Sequence, residues 1–288
     1  MNQLSRIISG TMTWGVWGKN LSTQAMAEAI EKNVDLGITT FDHADIYGGY
    51  TTEAAFGKAF KSCSVSKEKT IHITKCGIQY PCEARPLAVK HYNYTKEHII
   101  ASVEKSLKNL QLDTLDVLLL HRPSPLLEVN EVAEAFAFLT KRGDVKSFGV
   151  SNFTPQQMAV LKQSATIEWN QLECSLTKND AMTNGILDYM QAENIGAMAW
   201  SPLGSYFKSV DEKQKRLQPL MKELGEKYSL EEDQLLLTWL LQHPAKIYPV
   251  VGTTSSKRIE KAVEATKYTL DIQDWFLLYE ASNGHQVA

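Results

Sequence analysis

The run Leu115-Asp116-Val117-Leu118-Leu119-Leu120-His121 is a short, mostly apolar strand candidate that ends on an imidazole. Two earlier runs repeat the plan: Ile71-His72-Ile73-Thr74-Lys75 ends on an ammonium, and Thr39-Thr40-Phe41-Asp42 on a carboxylate. Further on, 146–151 leads into Ser151-Asn152, 167–171 ends in Asn170-Gln171, and 197–201 ends in Trp200-Ser201. With 6–9 and 247–251, the strand candidates number eight. Apolar strands that each finish on a polar group match parallel barrel strands, whose C-terminal ends carry the chemistry.

Between these runs the periodicity is helical. In 22–35, Met26, Ala29, Ile30 and Val34 recur on one face behind Ser22, a suitable N-cap, and Gly37 stops the pattern. From Thr95 onward, Ile99, Val103, Leu107 and Leu110 form one stripe. Thr154-Pro155 is a third start signal, since proline at the first helical position loses no needed hydrogen bond. Strands alternating with such helices predict an α/β (β/α)8 TIM barrel, and no linker or low-complexity tract divides residues 1–288 into more than one domain. An open doubly wound sheet would carry a GxGxxG turn after its first strand. Gly10-Thr11-Met12-Thr13-Trp14-Gly15 lacks that spacing, which favours the closed barrel.

Composition narrows the function. The 288 residues are 43% hydrophobic, enough for one large core, and the net charge of -3 offers no basic field for nucleic acid. No apolar run approaches the roughly 20 residues needed to cross a bilayer, and residues 1–10 lack a signal-peptide core, so a cytoplasmic protein is expected. Cys63, Cys76, Cys82 and Cys174 fit neither a redox pair nor a zinc pattern. No metal is expected, and Cys76 is read as structural.

A lysine or histidine alone after a strand is usually a solvated loop residue or a cap. An aspartate, a lysine and a histidine on successive strand ends, with Tyr47 nearby, form a set that chemistry explains. Reducing a carbonyl requires an acid that protonates the oxygen as charge develops on it. Tyr47 is the candidate acid. An unperturbed tyrosine has a pKa of about 10, which a nearby ammonium would lower; Lys75 can provide that charge, and Asp42 would keep Lys75 protonated and oriented. His121 could hydrogen-bond the substrate oxygen. A Schiff-base role for Lys75, as in a barrel aldolase, is opposed by Asp42, which favours the charged amine.

With these residues placed, the chain resembles the aldo-keto reductase superfamily over nearly its whole length. The resemblance runs through Phe41-Asp42-His43-Ala44-Asp45-Ile46-Tyr47-Gly48, Ile73-Thr74-Lys75, Leu119-Leu120-His121-Arg122-Pro123 and Gly149-Val150-Ser151-Asn152-Phe153. It continues through Ala199-Trp200-Ser201-Pro202-Leu203-Gly204 and Gly252-Thr253-Thr254. The resemblance implies a catalytic tetrad of Asp42, Tyr47, Lys75 and His121. It further implies that Ser151, Asn152 and Gln171 bind the nicotinamide carboxamide while Trp200 stacks on its ring. Ser201, Leu203 and Gly204 would lie along the pyrophosphate, with Gly252, Thr253 and Thr254 leading into the last helix, whose start suits phosphate. Arg258 would face the adenosine 2′-phosphate, which implies NADP(H), although Gly252 stands where many members carry a lysine for that phosphate. Trp14 is similar to a substrate-pocket aromatic of the superfamily. His43 is read as a packed histidine outside the mechanism.

The activity implied is NADPH-dependent reduction of small aldehydes or ketones, or its reverse. A cofactor-sensing regulatory protein with little turnover is the alternative, since some members of the superfamily serve as channel subunits. Segments 122–129 and 271–288 are expected to border the pocket; both are short for the family, which implies an open site tolerant of several small carbonyl compounds. Neither the natural substrate nor the oligomeric state is legible.

Overall fold

The computed structural model describes residues 4–208 and 210–288, so the first three residues of the N-terminal segment lie outside the described residues. Eight parallel strands close into a barrel: β1 (Ile8–Gly10), β2 (Thr40–Asp42), β3 (Ile71–Cys76), β4 (Leu115–Leu120), β5 (Val145–Ser151), β6 (Trp169–Glu173), β7 (Gly196–Trp200) and β8 (Tyr248–Val251). Each pairs in parallel with the next along the chain, and β8 closes on β1. Every expected strand is present, with bounds that differ by at most two residues from those read in the sequence.

Side chains alternate across each strand. Ile8, Ile71, Ile73, Val117, Leu119, Met198 and Val250 form one buried cluster inside the barrel. The opposite set, including Phe41, Leu118, Leu120, Val150 and Ala197, packs outward onto helix residues such as Ile30, Ile99, Val103 and Leu139. Fully burying one such aliphatic side chain contributes roughly 1.5–3 kcal/mol. One close contact fixes where β6 lies against β7: a Cβ on Gly196 would come within 2.3 Å of the Trp169 ring.

The helices begin where the sequence signals them. Ser22 accepts from Ala25 N–H at the head of Thr23–Asp35, and Thr95 accepts from His98 N–H at the head of Lys96–Leu110. Thr154 forms a reciprocal capping box with Gln157, with Pro155 at the first position of Pro155–Leu161. Two features go beyond the eight units. A small antiparallel hairpin, Ile78–Gln79 with His91–Tyr92, interrupts the connection after β3. A final helix, Ile272–Asn283, packs outside the barrel, where Arg216 donates to the carbonyls of Ala281 and Ser282 and Lys227 pairs with Asp274. Segment 271–288, expected at the pocket, makes most of its hydrogen bonds in the outer layer of helices, reaches the loop after β6 where Ser282 Oγ donates to the Leu176 carbonyl, and makes none to Asp42, Tyr47, Lys75 or His121 among the described residues. Among the described residues, no helix is long and apolar enough to cross a membrane.

Candidate active site

The alternation that places Ile71 and Ile73 inside the barrel brings Lys75 to the same inner face at the rim, and His121 follows Val117 and Leu119 in the same way. Asp42 is the last residue of β2. Tyr47 follows at the start of one helical turn, Tyr47–Tyr50, in which Gly48 and Gly49 have φ of 62° and 64°. Such left-handed backbone suits glycine, and the turn directs the phenol toward the strand ends.

Lys75 Nζ donates to Asp42 Oδ1 and Oδ2 at 2.7 Å each, to the His43 carbonyl at 2.7 Å and to Tyr47 Oη at 3.2 Å. An ammonium has only donors, so the Tyr47 oxygen accepts here and its own proton is left to point elsewhere. Burial alone would drive Lys75 toward the neutral amine, but Asp42 and Tyr47 outweigh it and hold the ammonium above its ordinary pKa. A neutral amine for imine chemistry is therefore disfavoured.

Burial likewise raises Tyr47 above the ordinary tyrosine value, against the pull of Lys75. The expectation that the ammonium would bring this phenol below its usual range is corrected: Lys75 acts in the expected direction, and loss of solvent is the larger effect. Tyr47 is thus a protonated acid at neutral pH. His121 lies beside it, ring centroids 6.1 Å apart. Burial, followed by the charges of Lys75, Arg122 and Lys90, pushes its pKa well below the usual histidine value, so the imidazole is neutral. Its Nδ1 is buried with no partner among the described residues.

Along the rim, Asn152 Nδ2 donates to Ser151 Oγ at 2.7 Å and Trp200 Nε1 donates to Asn152 Oδ1 at 3.0 Å, which fixes the edge of the indole. Gln171 Nε2 donates to Asp42 Oδ1 at 2.8 Å, so this amide reaches the carboxylate of the tetrad from across the barrel. Beyond β7, Ser201 and Gly204 have φ of 49° and 57°, and a Cβ on Gly204 would meet Thr177 Oγ1 at 1.9 Å. Gly252 and Thr253 follow β8, with the Gly252 carbonyl accepting from Thr13 Oγ1 at 3.0 Å and Thr253 Oγ1 from Ser255 N–H at 3.2 Å. Thr254 is half-buried in the same turn. The helix that begins there, Ser256–Ala265, receives no side-chain cap from Ser255, which leaves its first N–H groups for an anion. Leu203, Gly204 and Arg258 line a cavity of about 1070 Å³ together with Lys208, Lys222 and Lys261; it lies beyond the tetrad, none of whose residues lines it.

Trp14 departs from its expected place. It is fully buried against Phe41 and Phe56, beneath the rim, and is a core residue. The aromatic near the acid is Trp17, 40% exposed, with its ring 6.4 Å from Tyr47 and 5.5 Å from Tyr80. Reading the sequence also missed Arg122, whose guanidinium sits 5.5 Å from the Trp200 ring centroid. The adjacency of Arg122 to His121 was the available signal. His43 is packed as expected, its ring stacked on His72, and Cys76 is buried with its thiol pKa raised well above the usual value by burial.

The residues present fit a nicotinamide dinucleotide. The imidazole beside Tyr47 has a buried nitrogen without a partner among the described residues, an indole is held by its edge, a glycine turn tolerates no side chain, and an uncapped helix start lies beside a cavity that Arg258 lines.

Comparison with known proteins agrees. A model of the aldo/keto reductase family matches residues 6–283. The chain is 40% identical over 292 residues to a 6-dehydroglucose reductase of Agrobacterium fabrum, covering 99% of this chain and 97% of that protein. It is 39% identical to the oxidoreductase YdhF of Escherichia coli, with 99% and 96% covered. Among solved structures, the glycerol dehydrogenase of Gluconobacter oxydans superposes with a TM-score of 0.87 at 21% identity, covering 99% of this chain and 94% of that one; at that identity the likeness concerns the fold.

Proposed function

We propose that this chain, which belongs to the aldo/keto reductase family and is an oxidoreductase, reduces a small aldehyde or ketone with NADPH, Tyr47 supplying the proton. The observation that carries this reading is the contact at 3.2 Å in which Lys75 donates to Tyr47 Oη while anchored on both oxygens of Asp42. Bound nicotinamide would supply the hydride. Tyr47 then gives its proton to the carbonyl oxygen as negative charge develops there, and Lys75 stabilises the phenolate left behind. Neutral His121 donates a hydrogen bond to the same oxygen and fixes the carbonyl within reach of the phenol. Run backward, the same groups take a proton from an alcohol.

Ser151, Asn152 and Trp200 would hold the nicotinamide, with Gln171 contributing from its place on Asp42. Ser201, Leu203, Gly204, Gly252, Thr253 and Thr254 would hold the pyrophosphate and ribose, and Arg258 the 2′-phosphate. Arg258, which lines the cavity and forms no ion pair among the described residues, supports NADP(H) over NAD(H) where Gly252 offers no side chain; the lysines there are matched by Glu226, Glu231, Glu232 and Asp233. Four free cysteines accord with a cytoplasmic setting. The name of the Agrobacterium relative makes a sugar-like aldehyde one fitting class of substrate.

The direct experiment follows NADPH oxidation with small aldehydes in the wild type and in Tyr47→Phe. Turnover should fall by roughly two to four orders of magnitude while NADPH still quenches tryptophan fluorescence. Unchanged turnover would remove Tyr47 from the mechanism. Tight NADPH binding without turnover on a broad carbonyl panel would instead support the cofactor-sensing reading.

A further inference from the structure

Arg122 follows His121 directly, and its backbone is clamped from both sides. Its N–H donates to Tyr94 Oη at 3.0 Å, and Tyr94 O–H donates to its carbonyl. Tyr94 is 5% exposed, so this clamp is a buried, fixed point. The side chain lies 5.5 Å from the Trp200 ring centroid, and its charge reaches both Tyr47 and His121. No ion pair to Arg122 exists among the described residues, whereas Arg142 and Lys227 each pair with two carboxylates and Lys96 with one. A second cation, Lys90, comes from the loop of the Ile78–Gln79 and His91–Tyr92 hairpin; its charge also reaches His121, and it too lacks a carboxylate partner among the described residues.

A guanidinium held over an indole, with no side-chain hydrogen bond or ion pair among the described residues, is a recognition group for adjacent oxygen atoms. Left uncompensated beside a neutral imidazole, it would repel a cationic substrate. An apolar substrate would gain no use from it and would strip its hydration.

We propose that Arg122, together with Lys90, selects carbonyl substrates bearing oxygen acceptors on the carbons near the reacting group, either a carboxylate or vicinal hydroxyls. This rests on the carbonyl-reductase reading above and deepens it. Trp17 and Tyr80, edge to face at 5.5 Å, supply the apolar wall near Tyr47, and Arg122 supplies the polar anchor.

The test uses three four-carbon aldehydes that differ only in this respect: butanal, erythrose and succinic semialdehyde. Steady-state kcat/KM is measured on the full-length protein with NADPH for the wild type, Arg122→Met and Lys90→Gln. In Arg122→Met the ratio of kcat/KM for an oxygen-bearing substrate to that for butanal falls roughly tenfold or more, mainly through KM. A fall confined to succinic semialdehyde, and shared by Lys90→Gln, identifies a carboxylate; a fall confined to erythrose identifies hydroxyls. A binding readout stands beside turnover: quenching of tryptophan fluorescence by 4-hydroxybutyrate, glycerol and 1-butanol, with Arg122→Met losing affinity for either or both of the first two relative to the third. Ratios unchanged for both substrates, in kinetics and binding alike, overturn the proposal. Failure of the underlying reading looks different, since all three aldehydes would then be inert with the wild type while the alcohol-binding series still reports on Arg122.

Discussion

Gln171 Nε2 donates to Asp42 Oδ1 across 2.8 Å, tying β6 to β2 from positions 129 apart in the chain. Hydrogen bonds to a buried charged group are worth more than neutral ones, and Asp42 is 2% exposed. Gln171→Met, which keeps the volume and removes the donor, should lower the unfolding free energy by roughly 2 kcal/mol in urea denaturation. An unchanged midpoint would show that this tie does not support the fold.

Lys75→Met should be more damaging, because it leaves the Asp42 carboxylate buried without its counter-charge. Removing one partner of a buried pair typically costs about 3–5 kcal/mol. Adding Asp42→Asn to Lys75→Met removes the stranded charge and should restore part of that loss, while turnover stays absent in both variants. Denaturation midpoints of the single and double variants decide it: a double variant less stable than the single one would contradict the pairing argument.

The pH profile of reduction follows from two opposite shifts. Burial raises Tyr47, so the acid keeps its proton through neutral and moderately alkaline pH and reduction should decline only above the ordinary tyrosine value of 10.0. Burial lowers His121 well below its ordinary 6.5, so its neutral form persists as the medium becomes mildly acidic. A plot of log kcat/KM against pH should therefore be flat through 6.5. An inflection there, absent from His121→Asn, would mean that the imidazole titrates normally.

Stability should respond to acid through the buried pair His43 and His72, joined Nε2 to Nδ1 at 3.3 Å and closed by Thr11 and Thr70. Burial lowers His72 from 6.5 to about 4. The unfolded chain takes up a proton as pH falls below 6.5, the folded chain does not until about 4, and stability drops across that window. The loss from His72 alone is roughly 3 kcal/mol. Unfolding free energies measured from pH 7 down to 4 should show a slope that is shallower in His72→Gln.

At Gly204, φ is +57° and a methyl group would lie 2.5 Å from Ser175 Oγ as well as against Thr177. Gly204→Ala should distort the turn after β7 and weaken NADPH affinity by about tenfold or more, with a smaller effect on thermal stability. Fluorescence titration checks it; wild-type affinity in the variant would separate this turn from the cofactor.

The eight strands were legible because burial on both faces writes them as continuous apolar runs, and the tetrad because each member directly follows or ends such a run, or lies one short turn beyond it. The hairpin at Ile78–Gln79 was not, since two-residue strands contain no period. Trp14 and Trp17 occupy one loop without repeating pattern, so their sequence could not say which is enclosed and which faces the acid. The sign of the Tyr47 shift depended on how completely the surrounding fold excludes water, a property of the closed barrel that no neighbouring residue type announces. Gln171 and Asp42 meet only through barrel closure, and nothing local to either predicts the bond.

The strand order also divides the rim into two arcs. Asp42, Lys75 and His121 stand on or just after β2, β3 and β4, while Ser151, Trp200 and Arg258 belong to β5, β7 and the helix after β8. On the function proposed above, the first arc would move the proton and the second would hold the dinucleotide, so substitutions on the second could change the cofactor and leave the proton donor as it was. Gln171 spans the divide, so a substitution of that amide on the second arc also removes a hydrogen bond from the carboxylate on the first, on the far side of the barrel.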